Sequence, residues 1–249
     1  MNAILIYIFL GILQGIFEWI PISSEGIIAL ISNFLIKNFN PIDIALFSHI
    51  GTFFVILIYF RKDWKEVLMF KNIELLKFLI ISNIISLIIA FPIYNIIKDI
   101  FIGNGLLIIT GFGLIFTSYF HKSRKKIELS LNKLSIISGF LQGLSIIPGF
   151  SRSGSTIFGL SLGKLSPSEI LKLSYMMAAP SILASIIYLF LKNPILIEIW
   201  PTLISSFFIG MISLHFLIKI SEKMNFYKFT LIFALLCFIG AIINFFEGF

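Results

Sequence analysis

A few polar and charged side chains interrupt long apolar stretches of this sequence, and their chemistry stands out. Three of them are ionisable: Glu18, Glu25 and Arg152. An ionisable group in a membrane interior is unfavourable by several kcal/mol, so such a residue is a functional candidate by default. Gln14 and Glu18 are four residues apart, which places them on one face of a helix.

The second polar segment has the composition of an anion-binding site. A short turn that leads into a helix presents several backbone N–H groups together, and the helix dipole strengthens their attraction for an anion. The planar guanidinium of Arg152 suits two phosphate oxygens. Around it are further donors: Ser151, Ser153, Gly154, Ser155 and Thr156. A serine-rich helix cap, with Arg152 paired to Glu18, is the structural alternative.

The first polar segment places hydroxyls beside a carboxylate. It contains Ser23, Ser24 and Glu25. A serine near a carboxylate can be a nucleophile activated by a general base, or it can be a helix cap, and the spacing does not decide between them. His49 lies in an otherwise apolar run. A hydrogen-bonded packing role and a role as proton relay or substrate contact are both open for this histidine.

The overall composition is that of a membrane protein. Apolar residues make up 58% of the 249 residues, charged residues make up 12%, and the mean hydropathy is +1.04. Soluble domains have about 25% charged residues. Six apolar runs are long enough to cross a bilayer, at roughly 20 residues per crossing. They are 42–60, 76–97, 104–120, 170–191, 199–219 and 228–247. We predict an all-α polytopic protein with one membrane domain, 1–249.

Two further apolar stretches, about 3–37 and 134–163, are broken by proline, glycine and serine. The pieces beside each break are too short to cross. Each stretch is therefore predicted to be a re-entrant helical hairpin, whose tip needs protein or a wet cavity to satisfy its irregular backbone. The stretches also resemble each other, since Gly11–Gly15 reads GILQG and Gly139–Gly143 reads GFLQG.

The order of these elements predicts an inverted repeat. Three spans separate the hairpins, and an odd number of crossings inverts the second hairpin relative to the first. The halves are then 1–120 and 121–249, each with one hairpin and three spans. Such repeats place the binding site near the midplane, where the halves meet. Chance similarity between apolar sequences is the alternative explanation.

Lysine and arginine are concentrated in loops that six spans place on one side of the membrane. They are Arg61, Lys62, Lys65, Lys71, Lys77, Lys122, Arg124, Lys125, Lys126, Lys133, Lys164, Lys172, Lys219, Lys223 and Lys228. The positive-inside rule puts these loops in the cytoplasm and both termini outside. The loops lack interleaved aromatic residues, which argues against a nucleic-acid partner. Membrane lipids are the expected partners, and a homodimer is the candidate assembly.

The motifs resemble those of the bacitracin-resistance family of membrane undecaprenyl-diphosphate phosphatases. Gly11–Gly26 is similar to the family's (E/Q)xxxE element followed by PxSSxGH, and Pro148–Thr156 matches PGxSRSxxT. The stretches His49–Thr52, Tyr59–Lys62 and Ser174–Pro180 are also similar to the family. The resemblance covers nearly the whole chain.

The resemblance implies hydrolysis of a polyprenyl diphosphate to the monophosphate and phosphate, at the outer face of the plasma membrane. This reaction recycles a lipid carrier for surface glycans. By position, Gln14 and Glu18 occupy the acidic motif, Ser24 is the nucleophile, and Arg152 holds phosphate with the hydroxyls of the second segment. A divalent cation, Mg²⁺ or Ca²⁺, is expected with the activity, and Glu18 is its candidate ligand.

One position departs from the family pattern. The motif PxSSxGH ends in histidine, whereas this chain has Ile27, and Glu25 follows the serine pair. Either Glu25 or His49 would have to replace the missing histidine. A transporter or flippase of polyprenyl phosphate is the rival prediction, because inverted repeats with broken helices are a common transporter plan. A homologue that binds polyprenyl phosphate only as a regulator is a third.

Overall fold

The fold is described from a computed structural model, which defines residues 3–21, 24–36, 39–97, 129–145, 151–192 and 198–247, with 108, 111–112 and 114–115. All regular elements within these residues are helices, which confirms the prediction of an all-α chain. They are α1 Ala3–Phe17, α2 Ser24–Leu35, α3 Pro41–Tyr59, α4 Arg61–Leu68, α5 Ile73–Ile97, α6 Leu131–Leu144, α7 Arg152–Ser161, α8 Pro167–Lys192, α9 Trp200–Lys223 and α10 Phe226–Glu247.

Several of these helices have the length and composition to cross a membrane. Three do so alone, over Ile73–Ile93, Pro167–Leu191 and Trp200–Lys223. The helix α3 meets the same criterion together with α4, and these two are bent by 75° at Phe60. These helices are compatible with a polytopic membrane protein. The predicted count of six spans stays a prediction, because most of 104–120 lies outside the described residues and the apolar helix Tyr227–Ile242, within the predicted span 228–247, is shorter than the criterion requires.

Both predicted hairpin stretches are interrupted helices. The first break separates α1 from α2, and the second separates α6 from α7. The helices α1 and α6 contain 15 and 14 residues. At 1.5 Å per residue each is about 22 Å long, which is shorter than the roughly 30 Å hydrocarbon core of a bilayer. Neither helix could cross a membrane alone.

Each broken stretch packs against a helix from the other half of the chain. The helix α1 packs mainly on α9, and α6 packs mainly on α5. A Cβ added to Gly15 would lie 2.7 Å from the backbone nitrogen of Gly210, and one added to Gly139 would lie 2.5 Å from the carbonyl oxygen of Ser82. Small residues allow this close approach of backbones, which provides much of the packing energy between helices in lipid.

The interior lies between these packed helices, and the outside is apolar. Large side chains of the main buried cluster come from α3, α5, α8 and α9 and from the turn after α1: Trp19, Ile56, Phe78, Tyr175, Met176 and Leu214. Large apolar side chains also cover the outer faces of the long helices: Leu87, Ile88, Phe91, Leu191, Phe208 and Phe216. An apolar exterior of this kind suits contact with lipid rather than with water.

Gln142 of α6 corresponds in the sequence to Gln14 of α1, and it lies in a neutral polar cluster. Its Nε2 donates to Ser181 Oγ at 3.1 Å, and to the Met177 carbonyl oxygen and Asn83 Oδ1 at 3.4 Å each. Gln142 is 4% exposed. These contacts join α6 to α5 and α8 without any charged group.

The short helix α4 ends in a turn that glycine usually occupies. The N–H of Lys71 donates to the Glu66 carbonyl at 2.8 Å, and the N–H of Phe70 donates to the Val67 carbonyl at 3.1 Å. This pair of bonds is the Schellman motif. Phe70 takes its left-handed position, with φ of 55°, at a cost of about 1 kcal/mol or more for a residue with a Cβ.

Replacing Gly139 with leucine should destabilise the protein, because the new side chain would enter the backbone of α5 at Ser82. Overpacking typically costs about 1–3 kcal/mol, so we expect a lower unfolding temperature for the detergent-solubilised variant. Phe140→Leu is the control, since Phe140 is exposed on the same helix. Unchanged unfolding of Gly139→Leu would contradict the close contact of α5 and α6.

Candidate active site

Glu18 lies in the turn after α1 and is the centre of a buried polar cluster. It is 2% exposed. Gln14, one helical turn earlier, donates from Nε2 to Glu18 Oε2 at 2.7 Å. Ser24, the first residue of α2, donates from Oγ to the same oxygen at 3.3 Å. The first break therefore brings an amide and a hydroxyl from its two sides onto one carboxylate.

Arg152, the first residue of α7, forms an ion pair with Glu18. Its Nη2 donates to Oε1 of the Glu18 carboxylate. The Arg152 side chain is 21% exposed and the Glu18 side chain only 1%. A buried carboxylate needs a paired charge and hydrogen bonds to be tolerated. The ion pair therefore joins the two breaks, and part of the guanidinium stays accessible to a ligand.

His49 of α3 completes the contacts of Glu18. Its Nε2 lies 3.1 Å from Glu18 Oε2, and its Nδ1 lies 2.8 Å from the carbonyl oxygen of Ala45. A carbonyl oxygen only accepts, so Nδ1 carries a hydrogen. The contact between Nε2 and the carboxylate then requires a second hydrogen, either on His49 or on Glu18. A transferable proton is thus held beside the ion pair.

The start of α7 contacts the first break directly. Ser151 caps the helix, because its Oγ accepts from the N–H of Gly154 at 3.3 Å. Ser153 Oγ donates to the carbonyl oxygen of Ile20 at 3.1 Å. The backbone N–H groups of Arg152 and Ser153 have no acceptor within the described part of the chain. These two N–H groups belong to the first turn of α7, and the start of a helix is where an anion would bind.

The remaining hydroxyls of this segment are turned into the protein. Ser155 Oγ and Thr156 Oγ1 each donate to the carbonyl oxygen of Arg152 at 2.9 Å. Thr156 also shares a hydrogen bond of 2.6 Å with Ser174 of α8. In this arrangement their hydroxyls support α7, and the donor of this segment that is partly exposed is the guanidinium of Arg152. Substrate contact by Ser155 and Thr156 stays a prediction.

Of the other predicted residues of the first segment, Glu25 makes no direct contact with Glu18 among the described contacts. Glu25 is exposed and forms no ion pair with a described residue. Ser23 lies outside the described residues. Ile27, which stands where the family motif has histidine, is 6% exposed. Of the two candidates to replace that histidine, His49 is the one that contacts Glu18.

Comparison with known proteins identifies the family. The family model described as bacitracin resistance protein BacA matches residues 7–242. The chain belongs to this family. The undecaprenyl-diphosphatase of Sulfurisphaera tokodaii is 36% identical over 250 residues, covering 90% of this chain and 92% of that protein. The undecaprenyl-diphosphatase of Methanococcoides burtonii is 30% identical, and the match covers 90% of this chain and 93% of that protein. The undecaprenyl-diphosphatase of Haloarcula marismortui is 29% identical, and the match covers 98% of this chain and 99% of that protein. The resemblance based on the two motifs is thereby confirmed.

Two aromatic residues fix the first break in this BacA family member, and sequence reasoning did not assign them to the site. Tyr175 of α8 donates to the carbonyl oxygen of Trp19 at 2.6 Å, and their rings meet edge to face at 5.1 Å. Trp19 Nε1 donates to Ser213 Oγ at 3.0 Å. The available signal was the stretch Ser174–Pro180, which is similar to the family and contains Tyr175.

The described residues do not fit a resident divalent cation. Both oxygens of Glu18 already accept hydrogen bonds, and the neighbouring guanidinium repels a cation. Within the described ranges, no three His, Cys, Asp or Glu residues form a metal-binding group. Mg²⁺ and Ca²⁺ prefer six or more oxygen ligands. A resident metal at Glu18 is therefore a poor match to these donors, and no reaction step is assigned to one.

The two contacts of His49 predict hydrogen on Nδ1 and a second hydrogen between Nε2 and Glu18. We expect ¹⁵N spectra of histidine-labelled protein to contain a ring protonated at Nδ1, with a resonance that His49→Gln removes. In Glu18→Gln the amide can donate to Nε2, so the same ring should be neutral with hydrogen on Nδ1 only. An Nδ1 without hydrogen in the unmodified protein would contradict the arrangement.

Proposed function

We propose that this protein hydrolyses a polyprenyl diphosphate, such as undecaprenyl diphosphate, to the monophosphate and inorganic phosphate. The observation that carries this proposal is the buried ion pair of Glu18 and Arg152 between two helix breaks. The enzyme class is supported by the family and by relatives named undecaprenyl-diphosphatase over most of their length.

The terminal phosphate would bind at the start of α7. One nitrogen of the Arg152 guanidinium contacts Glu18, so its other N–H groups would be available to the phosphate, together with the backbone N–H groups of Arg152 and Ser153. Within the contact cluster of Glu18, Arg152 and His49, an ionised Glu18 and a protonated His49 give one negative and two positive charges, and the exposed carboxylate of Glu25 lies outside this cluster. An excess of positive charge in an apolar surrounding stabilises the phosphoryl group as charge spreads over its oxygens.

The attacking oxygen would be held at Glu18 Oε2. Ser24 Oγ lies 3.3 Å from this atom, and a water could take the same position. The new oxygen–phosphorus bond forms as the anhydride bond breaks, and the polyprenyl monophosphate leaves with the electron pair. If Ser24 attacks, a water then hydrolyses the phosphoserine. Catalysis of phosphoryl transfer depends mainly on position and electrostatics, so strong basicity at Glu18 is not required.

The family motif ends in a histidine, and this chain has Ile27 at that position. His49 would take the place of that histidine. It holds Glu18 from α3, and the proton of the attacking oxygen would pass to the carboxylate of Glu18, which Ser24 Oγ contacts. The leaving group is a phosphate monoester, which needs little acid assistance. Ile27 in place of histidine is therefore compatible with activity.

The surrounding architecture would be six spans and two re-entrant hairpins, in the inverted halves 1–120 and 121–249. The reciprocal packing of α1 on α9 and α6 on α5 supports this proposal. The prenyl tail would lie in the bilayer and enter between helices, with the site open to the outer face. A divalent cation would accompany the diphosphate, and the phosphate product would leave to the outside.

The activity is tested by phosphate release from polyprenyl diphosphate by purified protein, with and without Mg²⁺. We expect Arg152→Ala to lower kcat/KM by at least about 100-fold, the effect of removing one transition-state donor. Arg61→Ala is the matched control, because Arg61 is exposed at the start of α4. For Ser24→Ala, loss of release assigns attack to the serine, and retained release assigns it to water.

The contrary result is a folded protein that binds polyprenyl diphosphate and releases no phosphate, either with or without Mg²⁺. This result would overturn the phosphatase proposal in favour of a carrier. Equal activities of Arg152→Ala and Arg61→Ala would remove the role of the ion pair.

The orientation is tested with single cysteines placed at opposite ends of the spans. We expect Asn40→Cys to react with an impermeant maleimide from outside the cell, and Lys223→Cys to react only after the membrane is opened. Both positions are exposed, and the native Cys237 is buried, so background labelling should be low. The reverse pattern would show that the basic loops are outside.

A further inference from the structure

The helix α4 lies across the end of α3 and is fixed there. The chain bends by 75° between the two helices, so α4 cannot continue along the axis of the span. Its inner face packs on the core through Val67, which is 5% exposed, and through Trp64. Asp63 forms an ion pair of 2.9 Å with Lys172 of α8. A helix bent in this way, with charged residues on its outer side, suits a position along the membrane surface at the end of a span.

The outer side of α4 carries a basic groove. The groove has a volume of about 280 Å³. It is lined by Lys62, Lys65, Glu66, Met69 and Lys71. Three cations and one carboxylate give this groove a net positive charge. Its lining is both cationic and apolar, which matches the junction of a phosphate headgroup with its acyl chains.

The turn after α4 presents three consecutive apolar side chains on the surface. Leu68 is 75% exposed, Met69 is 53% exposed and Phe70 is 70% exposed. Phe70 also occupies the left-handed position of the Schellman motif, where glycine would avoid the steric conflict. Described protein contacts leave most of this ring uncovered. An unfavourable backbone and an uncovered aromatic ring together point to a partner outside the chain.

We propose that α4 and the turn after it form a docking site for an anionic phospholipid of the surrounding bilayer. The headgroup phosphate binds Lys62, Lys65 and Lys71, and Leu68, Met69 and Phe70 enter the boundary of the acyl chains. This arrangement is that of an interfacial amphipathic helix, in which charge and apolar burial act together. The site is separate from the Glu18 cluster, and the proposal does not depend on phosphatase activity.

The test measures the unfolding temperature of the full chain in neutral detergent with added phosphatidylglycerol or phosphatidylcholine. We expect phosphatidylglycerol to raise it more than phosphatidylcholine does. Lys62→Gln/Lys65→Gln/Lys71→Gln should lose most of this difference. Lys219→Gln/Lys223→Gln/Lys228→Gln is the matched control, since it removes the same charge from exposed lysines on the same predicted side, and it should keep the difference.

Three results would overturn the proposal. The first is an equal response to the two lipids, which would show no preference for an anionic headgroup. The second is an equal loss in the two triple variants, which would indicate an effect of net charge. The third is an equal rise with inorganic phosphate at the same concentration, which would indicate a simple anion site.

The variant Phe70→Gly distinguishes the contribution of the Phe70 ring to lipid binding from its contribution to the stability of the fold. Glycine relieves the left-handed backbone, so we expect the unfolding temperature without lipid to stay level or rise. The stabilisation by phosphatidylglycerol should nevertheless shrink, because the aromatic ring is lost. An undiminished lipid response in Phe70→Gly would contradict insertion of the turn into the acyl boundary.

Discussion

A carboxylate within an apolar protein interior is stable only when other groups replace the hydration that it loses. Glu18 meets this requirement with contacts from four separate parts of the chain: Arg152 at the start of α7, His49 of α3, Gln14 of α1 and Ser24 of α2. Removing one partner from such a group typically costs about 3–5 kcal/mol. The same contacts that make the charge tolerable therefore fix the relative positions of both breaks.

The helix packing makes this meeting of the breaks possible. Each hairpin stretch is held by a helix from the other half, through glycine contacts at Gly15 and Gly139 that leave no room for a side chain. Tyr175 of α8 and Ser213 of α9 then hold Trp19. The described part of the first break is consequently attached on several sides, and the carbonyl oxygens of Trp19 and Ile20 accept hydrogen bonds from Tyr175 and Ser153.

Much of this could be predicted from the sequence, because polar residues in apolar stretches are few. The helical class, the two interruptions and the pairing of Arg152 with Glu18 as one alternative all followed from residue type and spacing. The contact of His49 with Glu18 did not follow, since it depends on how α3 is rotated against α1. The sequence also did not predict that the Ser155 and Thr156 hydroxyls donate to the backbone of their own helix. Serine and threonine hydroxyls can bind either a ligand or a carbonyl oxygen of their own helix. The span at 104–120 is not tested by the described residues.

The two matching glutamines have very different neighbours. Gln14 contacts a carboxylate, whereas Gln142 contacts the neutral groups of Asn83, Ser181 and Met177. The chain position equivalent to Glu18, four residues after Gln142, is Ile146. By sequence, only the first of the two matching segments has a carboxylate at this position. In the proposed inverted scaffold, this asymmetry would give the molecule a chemical polarity across the bilayer, with a charged site toward one leaflet and a neutral counterpart toward the other.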